Sequence, residues 1–164
     1  MDRLEEKKER LAKTAAKGKV EHYCAYQERS QQEVRDKLYE WGVWRNDVEE
    51  LISELIADNF LNEERFALAY VSGKFSIKKW GRIKIRQGLK QKRVPDKLIA
   101  SALKSIDGDA YLEAIRGVAE RKLTGLHERD AFKRRYKLFS YLLSRGFERD
   151  LIEEVLLKNN LVVG

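Results

Sequence analysis

Five long cations at near-helical spacing, Lys79, Arg82, Arg86, Lys90 and Arg93, are the residues of this chain best placed to do chemistry. At about 100° per residue they fall within an arc of roughly 80° on one helix face, beside an apolar line through Ile85 and Leu89. Aligned Lys and Arg side chains can follow a row of phosphates or meet carboxylates, Arg with two parallel hydrogen bonds. The chemistry on offer is anion binding. From Lys74 to Lys104, eleven Lys or Arg stand against one acid, Asp96, so this stretch carries +10 while the rest of the chain sums to −3, within a total of +7. Charge concentrated in this way points to a polyanion or an acidic protein surface as partner. Trp80, next to Gly81, is read first as packing against the preceding helix and second as a stacking platform for a base.

Bond-making chemistry finds no comparable constellation. His22 and His127 are the two histidines, and neither belongs to a ligand spacing such as His-Glu-x-x-His. Ser72-Gly-Lys74 lacks the earlier glycine, the following Ser or Thr and the preceding strand of a phosphate loop. Asp107-Gly-Asp109 reads as a turn and helix cap. Glu63-Glu64 and Glu153-Glu154 are helical neighbours diverging by about 100°, which does not let an acid and a base share one substrate. Cys24, the single cysteine, sits in an apolar pattern and is expected to be a buried thiol. No catalytic residue, metal or cofactor is expected.

These residues need elements to hold them, and the composition supplies helices. One proline in 164 residues, 43% apolar content and the absence of alternating Val/Ile/Thr runs imply an all-α protein; only the tail Leu161-Val-Val-Gly164 looks strand-like. No apolar run approaches the ~18 residues needed to span a bilayer, and the first residues lack a secretion signal's apolar core, so a cytoplasmic location is expected. An internal repeat organises the rest. Leu38-x-x-x-Gly42-Val43, Leu89-x-x-x-Arg93-Val94 and Leu142-x-x-x-Gly146-Phe147 recur 51 and 53 residues apart, each followed by matching apolar positions and preceded by a leader helix. The pattern predicts three tandem three-helix repeats, over 18–60, 61–106 and 107–158, stacked into an elongated, curved array that shares a continuous core. Residues 1–17 form a charged extension and 159–164 a tail. Ser30-Gln-Gln-Glu33 reads as a capping box, Asn62 as a helix cap and Gly42 as a left-handed terminator. Residues 30–66 carry −6, opposite in sign to the central repeat.

Three of these segments resemble the RecX regulators of the bacterial RecA recombinase. They are Asn62-Glu-Glu-Arg-Phe-Ala, Gly81-x-x-x-Ile85-Arg-Gln-x-Leu89-x-Gln-Lys and Phe139-Ser-Tyr-Leu-Leu-Ser-Arg-Gly-Phe147, in the same order and spacing over about residues 20–157. The resemblance implies a non-enzymatic protein that lies on the RecA filament and restrains strand exchange and ATP hydrolysis. Its partners would be the RecA filament and, weakly, single-stranded DNA in or near it, with no membrane contact and the protein a monomer. Two positions depart from the family pattern: Arg93 where glycine is usual, and Gly88 where glutamate is common, a change expected to soften the central helix. The alternative reading is an autonomous DNA-binding protein of helix-turn-helix type.

Overall fold

The computed structural model describes residues 12–161; positions 1–11 of the extension and Val162–Gly164 of the strand-like tail lie outside them. Among the described residues there are nine helices: α1 (Lys13–Tyr26), α2 (Gln31–Glu40), α3 (Arg45–Ala57), α4 (Glu63–Ser76), α5 (Arg82–Gln91), α6 (Asp96–Leu103), α7 (Gly108–Thr124), α8 (Ala131–Ser144) and α9 (Arg149–Lys158). They pack by threes in chain order. None is long and apolar enough to cross a membrane.

The repeat is visible in the ends of its middle helices. Leu38, Leu89 and Leu142 are each fully buried, and their carbonyls accept the amides of Val43, Val94 and Phe147 at 3.0, 3.2 and 3.3 Å. Bonds six residues to one require a left-handed residue between, and Gly42, Arg93 and Gly146 supply it with φ of 76°, 56° and 93°. Arg93 therefore holds a conformation that a side chain disfavours. The starts of the helices also follow local rules. Ser30 and Glu33 form the reciprocal capping box, and Asn62, Asp107 and Asp130 each accept a backbone N–H from three residues on.

Each unit buries its own core, and this corrects the expectation of one continuous core. Val34, Leu38, Val48, Leu51 and Leu55 centre the first, Phe66, Ile85, Leu89 and Ile99 the second, and Tyr111, Leu138, Leu142 and Phe147 the third. Among the described residues Phe75 and Ile106 pack against two of them, the second and third. In every unit the leader helix packs on both helices of its hairpin and closes its open face. The first leader begins at Lys13, within the stretch assigned to the extension. Ala16, Val20 and Cys24 form its buried line, while Lys13 pairs with Glu50 and Glu54 and Lys17 with Glu54 of α3. Burial pushes the Cys24 thiol up to about 11, as an inert core cysteine requires. Gly88 does not interrupt α5; a Cβ there would lie 2.0 Å from the Tyr70 hydroxyl, so the missing side chain is where Tyr70 rests.

Candidate anion-binding surface and the unit junctions

Helix α5 starts at Arg82 and ends at Gln91, so of the five cations on the expected arc only Arg82, Arg86 and Lys90 are on it. Arg86 and Lys90 are exposed, with Lys90 3.9 Å from Asp96. Arg93 is exposed beyond the helix, in its left-handed turn. Arg82 faces inward. Its guanidinium bonds Glu148 at 2.9 Å and lies 3.8 Å from the centre of the Tyr111 ring. Lys79 precedes the helix in the α4–α5 loop, left-handed at φ 55°. The structure thus gathers Arg86, Lys90 and Arg93 near the far end of α5 and sends Arg82 and Lys79 to the third unit.

Arg82 belongs to a junction whose logic starts with the missing cap of α5. Gly81 at the N-cap offers no side chain to the free amides of the first turn, and the third unit satisfies them instead. The Arg82 amide donates to the Tyr111 hydroxyl at 3.0 Å and the Ile83 amide to the Gly146 carbonyl at 3.0 Å, while the Gly81 amide donates to the Arg145 carbonyl at 2.8 Å. The Tyr111 hydroxyl in turn donates to Glu148. Burial first and that carboxylate second hold the phenol far above its ordinary range, keeping it a proton donor. The approach needs both glycines: a Cβ on Gly81 would meet the Gly146 carbonyl oxygen at 2.2 Å, and one on Gly146 would meet the Lys84 Cβ at 2.4 Å. Phe75 stacks on Tyr111, with centroids 5.8 Å apart, and Tyr111 meets Phe147 edge-on at 5.6 Å.

Lys79 enters a cleft of about 400 Å³ beside that junction, lined also by Ile77, Lys78, Val118, Arg121, Lys122, Gly125, Tyr141 and Arg145. Arg145 donates to the carbonyls of Lys78 and Lys79 and so anchors the loop. Sequence reasoning missed Lys78, Arg121, Lys122 and Arg145 as a group because they come from three distant segments. The signal within reach was that basic residues follow or end α4, α7 and α8. Trp80 is half-buried at the edge of the second core, with the Lys74 and Lys84 ammoniums 4.7 and 4.4 Å from its ring centre. It packs, and it holds two cations as it does so.

The first and second units meet differently. Arg65 bonds Glu28 at 3.0 Å, Lys92 pairs with Glu33 at 3.0 Å, and the Gln31 amide donates to Glu63 at 3.3 Å. Burial raises the Glu63 carboxyl above its ordinary range despite that bond. Of the remaining candidates, His22 and His127 are exposed, Ser72-Gly-Lys74 lies inside α4, and Asp107 caps α7. Among the described residues no three His, Cys, Asp or Glu side chains gather as metal ligands would.

Comparison with known proteins follows the same division of the chain. Family models described as the first, second and third three-helix domains of RecX match residues 16–55, 62–103 and 109–156. A "Regulatory protein RecX" of Prosthecochloris aestuarii is 32% identical over 82% of this chain and 86% of its own length. Another, from Clostridium acetobutylicum, is 36% identical over 78% of this chain and 61% of its own. The chain thus spans less than two thirds of several curated relatives, down to 48% of one from Bacillus mycoides. The crystal structure of RecX from Lactobacillus salivarius superposes with a TM-score of 0.81 over 92% of this chain and 97% of that one, at 23% identity, a likeness of fold.

Proposed function

The chain belongs to the RecX family, and on that premise we propose that it regulates homologous recombination and DNA repair by binding the RecA nucleoprotein filament and restraining its strand exchange and ATP hydrolysis, with no catalysis of its own. The observation that carries the reading is three RecX three-helix units in order with opposed charge, −6 over residues 30–66 and +10 from Lys74 to Lys104. A protein filament on DNA presents both basic protein surface and phosphates, and a chain polarised in this way has a face for each. The protein acts as a cytoplasmic monomer that touches single-stranded DNA weakly, through its cations, and the recombinase more strongly.

The test is co-sedimentation with RecA, with and without single-stranded DNA, alongside the filament's ATP hydrolysis. The expected result is retention on the filament, a fall in hydrolysis by RecA and no hydrolysis by this protein alone. Tighter binding to one duplex sequence than to the filament would instead identify an autonomous DNA reader, and turnover by the isolated chain would overturn the non-enzymatic reading.

A further inference from the structure

We infer that the cleft between the second and third units is a phosphate-binding site for a single nucleic-acid strand. The inference names the surface by which the proposed filament regulator touches DNA, and to that extent rests on the proposal above. Five cations line the cleft, Lys78, Lys79, Arg121, Lys122 and Arg145, and no carboxylate does. Among the described residues the side chains of Lys78, Lys79 and Arg121 make no ion pair or hydrogen bond, Lys122 only covers the Tyr141 ring at 4.5 Å, and the buried Nε of Arg145 has no partner. Like charges brought together in a concavity without a counterion repel one another, and a bound anion relieves that repulsion.

The competing account is that these cations serve the helix ends. Ile77, Gly125 and Arg145, the C-caps of α4, α7 and α8, all line the cleft, and each helix end carries about half a negative charge. Three ends supply about −1.5, which leaves most of five positive charges unmatched. The cleft is therefore more basic than its helices need. Its placement is also built rather than incidental: Arg145 grips the carbonyls of Lys78 and Lys79, and Lys79 is held left-handed in the loop so gripped.

The lining selects among polyanions. Val118 is buried, Tyr141 is covered by Lys122, and Ile77 stands exposed at the cleft, so a peptide's apolar side chains have no pocket to enter, whereas a sugar–phosphate backbone needs none. A cleft of about 400 Å³ accommodates the backbone of one strand, and single strands are bound in basic grooves of this kind.

The test uses a fluorescein-labelled twenty-residue oligothymidylate and fluorescence anisotropy across a salt series. Lys78→Gln, Arg121→Gln and Lys122→Gln together should weaken binding at least about tenfold and make the slope of log affinity against log salt shallower by about 2, at roughly 0.7 per single-strand contact. The matched control, Arg129→Gln, Lys133→Gln and Arg134→Gln, removes the same charge from exposed positions at the start of α8, outside the cleft, and should change affinity by less than about twofold at fixed salt. Parent-like binding by the cleft variant overturns the inference, as does an equal loss in the control. So does competition by poly-L-glutamate as effective per charge as by unlabelled oligothymidylate, which would make the cleft a carboxylate site. Co-sedimentation with DNA-free RecA separates the two readings. Oligonucleotide binding that depends on the cleft, without retention on RecA or its filament, sinks the filament proposal and leaves the cleft standing; retention on RecA with no effect of the cleft variant on oligonucleotide binding does the reverse.

Discussion

Between the first and second units the contacts are Glu28 with Arg65, Glu33 with Lys92 and Glu63 with the Gln31 amide; between the second and third, backbone amides of α5 bond directly to the Arg145 and Gly146 carbonyls over a stack of Phe75, Tyr111 and Phe147. The first junction is made mainly of partly buried side-chain bonds, its two ion pairs worth on the order of 1 kcal/mol each and weakened by salt. The second is made of backbone, aromatic carbon and a half-buried ion pair, none of which rearranges without leaving amides unsatisfied. Units two and three should therefore move as one body, with the first unit attached through a joint that salt loosens. For the filament regulator proposed above, the basic cleft then lies on the rigid pair and the acidic unit at the looser joint.

The strongest way to break this comparison is to empty the cores. Leu38→Ala, Leu89→Ala and Leu142→Ala each delete a fully buried side chain and should cost about 2–5 kcal/mol. Leu142→Ala should also lower hydrogen-exchange protection in α4 and α5, because Phe75 and Ile106 are shared, whereas Leu38→Ala should leave those helices protected. Equal spread from all three sites would remove the distinction between junctions.

One kind of substitution with opposite signs sharpens it. Gly81→Ala drives a Cβ into the Gly146 carbonyl and should destabilise by about 1–3 kcal/mol, while Gly18→Ala, inside α1 with nothing within 4 Å of the new atom, should stabilise by about 0.5–1 kcal/mol. Thermal unfolding of the two variants reads the contrast, and a shift of the same sign in both would contradict the packing at the second junction.

Smaller effects follow from the ion pairs. Glu148→Gln weakens bonds to both Arg82 and the Tyr111 hydroxyl and should cost about 1.5–2 kcal/mol at low and high salt alike. Glu28→Gln, whose second carboxylate oxygen is buried without a partner, should cost under about 1 kcal/mol, and less still in high salt. Denaturant titrations at two ionic strengths check both. The last change is a gain within the central unit: Arg93→Gly should relieve the left-handed strain, less glycine's own entropic cost, and stabilise by about 0.5 kcal/mol, and a loss there would show that the Arg93 side chain is held by something other than solvent.

Much of this molecule was readable before folding because much of it is local. Ser30 with Glu33, Asn62, Gly42 and the Leu38, Leu89 and Leu142 series act within a turn or two of their own positions, where spacing is the whole of the physics. Residues 13–17 were harder to read. Their charge marks them as a solvated arm, and only the approach of α3 turns Ala16 into core and gives Lys13 and Lys17 their carboxylates. Gly88 likewise means softness in an isolated helix and contact beside Tyr70.

By itself, the sequence determined the helices, their caps, the threefold repeat and the central concentration of charge, since each depends on periodicity, composition or a neighbour within a few residues. The use of those charges was decided by tertiary structure. A helical wheel puts Lys79, Arg82, Arg86, Lys90 and Arg93 on one arc, yet α5 is too short to carry the first and last of them. Gly81 leaves its first turn uncapped, so the third unit docks there and takes Arg82 as a partner for Glu148. The same docking brings Lys79 to Arg121, Lys122 and Arg145. Which cations pair and which remain free for an anion depends on the meeting of segments more than twenty residues apart, and no local rule spans that distance.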